Sequence, residues 1–380
     1  MTSSEKKTVA LWKRRLLPGT ETFIRNQQDA YSRYAAVAIG SQRQNSPLAR
    51  ESDMLLYENG GILGKIKAKI LSACGYSREL SSRLENESID IVHAHFAPEG
   101  FSISRACKKL GIPLVVSFHG HDINEAPDMP GWRGKRYRRR LKKLFKEADA
   151  FIAISEALRE RAVKLGCPPE KIQVKYTGIP TAGTENTGSE SVEKYWDVIF
   201  VGRFIDIKGP LHVIQAASKA QEALGKPVKV AMIGSGPLLE EAQTLAAQLD
   251  VSVEFMGHQT PSEVERELQR SRVFCAPSMS IKPNQLEGFG MVYLEAALAS
   301  IPVNAYAYGG VQEAVAHEET GLLAREGDVE ELARNLTRLL ADPDEAQRMG
   351  LAGKKRAIEL FSMTRCIAEI ELLYDEVLAR

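Results

Sequence analysis

Short β-branched apolar runs alternate with longer helix-patterned stretches along this chain, and the alternation occurs twice, on either side of one polar interruption. The first series is Thr8 to Leu11, Ala35 to Ile39, Ile89 to Ala94, Leu114 to Phe118 and Ala150 to Ile154. Apolar runs of this length, separated by helices, predict strands of a parallel sheet covered on both faces. The pattern stops at residues 181 to 193, T-A-G-T-E-N-T-G-S-E-S-V-E, which offer almost nothing to bury and read as an interdomain linker. The second series is Asp197 to Val201, Val228 to Ile233, Val253 to Met256, Val273 to Ala276 and Pro302 to Ala305. The expected fold class is therefore α/β, one doubly wound parallel-sheet domain over residues 1–185 and another over 194–361. A chain of 380 residues exceeds what one core usually organises, which fits two domains. In open parallel sheets, ligands bind beyond the carboxyl ends of the strands, so chemistry should follow the strands.

Composition narrows the function classes. The chain is 44% hydrophobic and 26% charged with a net charge of +1, a globular balance that argues against nucleic-acid binding as its main purpose. Five cysteines (Cys74, Cys107, Cys167, Cys275 and Cys366) stand apart without C-x-x-C spacing, and read as reduced, mostly buried residues of a cytoplasmic protein. The start, Met1 to Lys7, is polar, and no apolar stretch approaches the ~20 residues of a membrane helix. Any membrane contact is expected at the surface, from the cytoplasmic side.

Three segments carry chemistry. In Glu287-Gly-Phe-Gly-Met-Val-Tyr-Leu-Glu295, glycines open a helix whose first-turn N–H groups face an anion, with a carboxylate at each end. An ionised carboxylate only accepts hydrogen bonds, so Glu295 suits a ribose and Glu287 a sugar hydroxyl. An ordinary glycine-led helix with solvated glutamates has the same spacing. In Gly202-Arg203-Phe-Ile-Asp-Ile-Lys208-Gly209, two cations follow a strand. A cation ~4 Å from a departing diphosphate supplies on the order of 4 kcal/mol at a partly screened site, and arginine holds two phosphate oxygens at once. A charged surface loop is the alternative. The third segment, Val116-Ser-Phe-His119-Gly120-His121-Asp122, also ends a strand, and Val92-His93-Ala-His95 ends its neighbour. His93 and His95 share a strand face, which invites a zinc site. One neutral histidine suffices to hydrogen-bond a hydroxyl, however, and strand-end histidines usually find backbone or carboxylate partners, so no metal is expected. Asp342-Pro-Asp344 has the D-x-D spacing of metal-dependent sugar transferases but reads as a helix cap. Gly234-Ser-Gly236-Pro lacks the rest of a dinucleotide fingerprint.

Taken together, these residues resemble the retaining glycosyltransferase family 4. The resemblance runs from Pro18-Gly-Thr-Glu-Thr-Phe-Ile24, through H-G-H-D and Ala153-Ile-Ser-Glu156, to G-R-F-I-D-I-K-G and the two glutamates with seven residues between them. It implies a GT-B fold, two Rossmann-like domains facing a central cleft, with a C-terminal helix from about 362 to 380 crossing back to the first. It also implies transfer of a hexose-type sugar from a UDP- or GDP-linked donor, with retention and with no cofactor or metal, to a saccharide, lipid-linked or small-molecule acceptor. Arg203 and Lys208 would grip the diphosphate, Glu295 the ribose and Glu287 the sugar, while His119 would contact the ring near the reacting carbon. Backbone amides of Gly288, Phe289, Gly290, Met291 and Val292 would complete the phosphate cradle, and Gly257, His258 and Gln259 would flank the base. The first-domain loop, paired glycines near the phosphates in many members, is here Gly19-Thr20, so Gly19 and Thr20 would border the donor, Thr20 donating a hydroxyl or restricting the approach, and the usual N-G-[IV]-D is Thr177-Gly-Ile-Pro180. Related chemistries on this fold are nucleotide-sugar epimerisation, sugar phosphorolysis and a non-catalytic partner-binding subunit.

A basic run remains. Arg133 to Lys146 holds nine cations, with Tyr137, Leu141, Leu144 and Phe145 forming one apolar stripe at helical spacing. It reads as a helix packed by its stripe, whose outer face is a candidate contact for an anionic membrane surface. Gly64 to Leu71, with Lys65, Lys67 and Lys69 among Ile62, Ile66 and Ile70, is a second candidate contact.

Overall fold

The computed structural model describes residues 6–19, 21–43, 46–57, 61–181, 193–282 and 284–380. Among these, the first series of runs becomes β1 (Thr8–Leu16), β2 (Ala35–Arg43), β3 (Met54–Leu55), β4 (Ile91–His95), β5 (Leu114–Phe118), β6 (Ala150–Ala153) and β7 (Ile172–Val174). The second gives β8 (Trp196–Val201), β9 (Lys229–Ile233), β10 (Ser252–Gly257), β11 (Ser271–Cys275), β12 (Val303–Tyr306) and β13 (Gly321–Ala324). The sheets are ordered β3-β2-β1-β4-β5-β6-β7 and β10-β9-β8-β11-β12-β13. Neighbouring strands pair in parallel, for example Val9 with Ile91 and Val198 with Val230. The chain divides into two compact units, Met1–Pro180 with Met363–Arg380, and Thr181–Ser362. The segment 181–193 lies largely outside the described residues.

Alternate side chains of β1 serve opposite faces, as a strand requires. Val9 and Leu11 join Ile91, Val115 and Ile152 in a core closed by Ile367, Ile370, Tyr374 and Val377 of the Met363–Leu378 helix. On the other face, Trp12 donates its indole N–H to Ser102 of the Ala97–Leu110 helix at 2.8 Å. That helix passes close to its neighbours at Gly100, where a Cβ would lie 3.0 Å from both Leu144 and Val116. The Gly131–Glu147 helix buries Leu141, Leu144 and Phe145 and half-buries Tyr137, so the apolar stripe of the basic run packs into the unit. Each such aliphatic or aromatic side chain contributes about 1.5–3 kcal/mol on burial.

Asp342 accepts the Glu345 N–H at 2.9 Å, with Pro343 in the first turn. The D-x-D spacing is thus a helix cap. Four of the five cysteines are buried, Cys74 is exposed, and all are free. No described helix is long and apolar enough to cross a membrane.

Candidate functional site

Each sheet reverses its winding beside its first strand, between β1 and β4 in one unit and between β8 and β11 in the other. At such switch points the loops part and leave a crevice beyond the strand ends. Arg203 and Lys208 follow β8 and Glu287 to Glu295 follow β11 at the second of these, whereas His119 follows β5 and Gly257 and His258 lie at the end of the edge strand β10.

In the second unit, β8 runs into Gly202-Arg203-Phe204, and the Gly234-Ser-Gly236 turn clamps that loop. Gly202 N–H donates to Ile233, Phe204 N–H to Ser235, and Leu238 N–H to Phe204, at 3.0, 2.9 and 3.0 Å. A Cβ on Gly234 would fall 1.9 Å from the Gly202 carbonyl, so only glycine fits. The turn's glycines therefore hold the Arg203 loop, a role its incomplete fingerprint did not suggest. Arg203 itself is exposed. Five residues on, Lys208 donates to Glu287 Oε2 at 2.5 Å, with side-chain exposures of 23% and 12%. The pair is reachable from solvent but mostly desolvated. Burial pushes the Glu287 carboxyl up, yet the Lys208 ammonium, a Ser278 hydroxyl and the Arg203 charge outweigh it and hold the group below its ordinary value. Glu287 is thus firmly anionic and oriented.

Gly290, with φ +82°, caps the Met291–Leu298 helix; a Cβ there would meet the Tyr293 ring at 2.4 Å. Tyr293 is buried and donates to the Ala276 carbonyl at 2.8 Å, fastening the helix to the end of β11. Gly310 donates its N–H to the Glu287 carbonyl at 3.1 Å, and a Cβ on Gly310 would lie 2.3 Å from Gly288 O, so the Glu287-Gly288 backbone rests against glycine alone. Gly288 and Phe289 are buried, Met291 and Val292 are half-buried, and the first-turn N–H groups of such a helix lack intrahelical acceptors. Glu295 follows one turn on at an exposed position, although the protein around it pushes its carboxyl up. Gly257 ends β10 with φ +64°, and His258 beyond it is exposed.

In the first unit, a ladder of histidines occupies the ends of β4 and β5. His93 and His95 stack at 4.4 Å, and His95 Nδ1 lies 3.1 Å from His119 Nε2. His93 is pinned at both nitrogens, by Tyr374 OH at 2.6 Å and Ser117 Oγ at 2.7 Å. Burial drives the His93 imidazole down to about 3, and holds His95 and His119 well below the ordinary histidine range. All three rings are neutral, so His119, its Nε2 engaged by His95, offers Nδ1 as a donor or an acceptor rather than a charge. Among the described residues, no three His, Cys, Asp or Glu groups are placed to hold a metal ion. His119 is half-exposed between Phe23 and Phe96, whose rings lie 4.8 and 4.5 Å away. It opens on a recess shared with Ser117, Lys175, Thr177 and Gly178. Gly178 lets the chain pass Met363, whose Cα a Cβ would approach to 2.6 Å.

Several contributors to this end of the sheet carry no motif of their own. Asp122 accepts N–H groups from Ala97 at 2.9 Å and from His119 and Gly120 at 3.1 Å each, tying the loops after β4 and β5 together. Lys13 is buried, pairs with Glu21 at 2.8 Å and lies 4.3 Å over the Phe96 ring. Leu17 and Phe96, with φ of 45° and 76°, are non-glycine residues held in the left-handed region at the ends of β1 and β4. Such strain persists where surrounding structure fixes it, commonly at binding sites. Gly19 is described and Thr20 lies outside the described residues.

Comparison with known proteins gives a consistent result. The model of Glycosyltransferase Family 4 matches residues 19–182, and that of Glycosyl transferases group 1 matches residues 184–356. The colanic acid biosynthesis glycosyltransferase WcaL of Salmonella typhimurium is 29% identical over 65% of this chain and 60% of its own length, so the chain spans under two thirds of that relative. The amylovoran biosynthesis glycosyltransferase AmsK of Erwinia amylovora is 27% identical over 74% of this chain and 69% of its own. Among solved structures, Anabaena HepE in complex with UDP and glucose aligns over 97% of this chain and 100% of its own, with a TM-score of 0.76 at 18% identity. With two parallel-sheet α/β domains and matches running nearly end to end, this chain belongs to glycosyltransferase family 4 and has the GT-B fold.

Proposed function

We propose that the chain is a hexosyltransferase that moves a sugar from a UDP- or GDP-linked donor, with retention and without metal or other cofactor, onto a saccharide, lipid-linked or small-molecule acceptor. The observation that carries this reading is the Lys208–Glu287 pair at the β8/β11 switch point. An ammonium has three N–H donors, so Lys208 can hold Glu287 with one and leave two for phosphate oxygens. Glu287, kept anionic, is left to accept sugar hydroxyls. Arg203 and the Met291–Leu298 helix N-terminus add positive potential where a diphosphate would leave, which stabilises the charge that grows as the glycosidic bond breaks. Glu295 suits the ribose hydroxyls, and neutral His119 suits a sugar hydroxyl.

In the proposed reaction, the anomeric carbon–oxygen bond to the diphosphate breaks and the acceptor oxygen bonds to the same face of that carbon. The departing phosphate oxygen takes the acceptor's proton, so no side-chain base is required. The relatives named for colanic acid and amylovoran biosynthesis support a setting in polysaccharide assembly. The test is nucleotide release from a panel of UDP- and GDP-sugars with and without oligosaccharide and polyprenyl-linked acceptors, with the product anomer read by NMR. Acceptor-dependent release and an α-linkage from an α-linked donor are expected. Conversion without acceptor would mean an epimerase, dependence on phosphate a phosphorylase, and donor binding with no turnover on any acceptor a non-catalytic subunit.

A further inference from the structure

The Gly61–Cys74 helix is packed against the first unit by a narrow face only, with Gly64 and Leu71 buried. Its opposite arc carries Ile62, Leu63, Ile66 and Ile70, exposed by 79, 72, 48 and 54%. At 100° per residue these four fall within about one third of the helix circumference. Lys65 and Lys69 border that arc on one side and Lys67 on the other, all exposed. Lys67 also reaches Glu79 at 2.8 Å. Four large aliphatic side chains in water, ringed by lysines, form an inverted surface helix whose apolar side faces outward. Isolated exposed leucines and isoleucines need no explanation, but a contiguous set marks a contact surface.

The Gly131–Glu147 helix lies beside it. Both flank the Ala97–Leu110 helix, and Arg140 of the second helix donates to the Ser72 carbonyl of the first at 2.8 Å. Arg140 is thereby committed within the unit, as is Arg138, which bonds the Pro127 carbonyl. The exposed arc instead carries Lys135, Arg139, Lys142 and Lys146, with Trp132 67% exposed among them. An indole at the border between apolar and charged surface suits a lipid interface, and cations suit anionic headgroups. A second copy of this chain would bring the same cations against one another, so charge disfavours self-association through this face.

We propose that the Gly61–Cys74 helix lies in the surface of an anionic bilayer, inserting Ile62, Leu63, Ile66 and Ile70 while the Gly131–Glu147 helix supplies the attracting charge and Trp132 the interfacial anchor. This assigns insertion to the first helix and leaves the second, apart from Trp132 at its start, an electrostatic part, because the second helix's own apolar stripe is buried. It does not depend on the reading of the donor site.

The test uses the full chain with vesicles of phosphatidylcholine, alone or mixed with phosphatidylglycerol, at low and high salt. Binding to the anionic vesicles should be salt-sensitive. Trp12 and Trp196 are 0 and 5% exposed, so a blue shift and quenching by brominated lipid will report on Trp132. Replacing Lys135, Arg139 and Lys142 by serine should weaken binding on the order of 100-fold. The combined Ile62→Ser, Ile66→Ser, Ile70→Ser variant should weaken it more than tenfold, the direction apolar burial requires, with an unchanged circular dichroism spectrum and nucleotide affinity. Absence of binding at low salt, equal binding to phosphatidylcholine alone, or wild-type binding by either variant would overturn the proposal. So would a lipid-free dimer abolished by the isoleucine variant, which would make a second copy the occupant.

Discussion

Lys208 and Glu287 each stand at a position that packing alone would fill with something cheaper. Taking a carboxylate and an ammonium largely out of water costs several kcal/mol, and mutual attraction only partly returns it. The pair is informative because a phosphate and a sugar hydroxyl would complete the bonding that each partner leaves unused. Lys208→Ala and Glu287→Ala should therefore lower turnover by roughly 30- to 1000-fold, about 2 to 4 kcal/mol of lost transition-state contact. Melting temperature should move little by comparison. Wild-type turnover in the folded double variant would remove both from the reaction. The identities of these residues were legible in the sequence because each follows a strand or opens a helix within a spaced motif. Their supports were not. Ser278 and Tyr293 hold Glu287 and its helix through contacts from residues whose types are common in any core. Lys13 lay hidden inside Lys13-Arg14-Arg15, a run that looks solvated, yet Lys13 is 5% exposed because Glu21 and Phe96 receive its charge.

Elements were legible in proportion to their apolar length. The ten runs read as strands all appear, within a few residues at their ends, whereas β3, β7 and β13 were not read. Those three lie at sheet edges; β3 and β7 span two and three residues, too few for periodicity to register, and β13, as long as β6 and β12, is Gly-Leu-Leu-Ala without a β-branched residue. β1 continues to Leu16 through the three cations because Arg14 pairs with Glu99 at 2.9 Å as Lys13 does with Glu21. The Met363–Leu378 helix shows how one element sets the chemistry of another: Tyr374 fixes His93, and His93 stacks on His95. Unfolded, these histidines bind protons near 6.5; native, His93 does so only near 3, and His95 and His119 well below the ordinary range. The unfolded state therefore holds more protons below 6.5, so this contribution is full above 6.5 and is lost as pH falls toward the native values. Lowering pH from about 7.5 to about 5.5 should destabilise the protein by about 1 kcal/mol for each histidine that stays neutral. Urea unfolding at both values checks this, and His93→Asn should reduce the difference by one histidine's share. A pH-independent midpoint over that interval would contradict the neutral ladder.

At the scale of the whole molecule, charge is nearly balanced, +1 over 380 residues, while its distribution is not. Arg203 and Lys208 lie with the Met291–Leu298 helix N-terminus at the β8/β11 end of the second unit, and on the proposed reading they would bind a nucleoside diphosphate without a metal. Arg203, Lys208 and the Met291–Leu298 helix terminus would oppose part of the two to three negative charges such a ligand brings, Lys208 being shared with Glu287. UDP or GDP should then bind in chelator as well as in magnesium. Because a ligand that binds only the folded state stabilises it by RT ln(1 + [L]/Kd), a nucleotide at about 100 times its Kd should add about 2.7 kcal/mol and raise the melting temperature. The rise should be the same with and without magnesium and should nearly vanish in Lys208→Ala. Hydrogen exchange resolves where the gain falls, and it should slow first in Gly202 to Gly209 and Glu287 to Glu295. Turnover in the acceptor assay should likewise survive dialysis against chelator. Binding or turnover lost in chelator and restored by magnesium would mean that the cations are insufficient and that a metal shares the diphosphate with them.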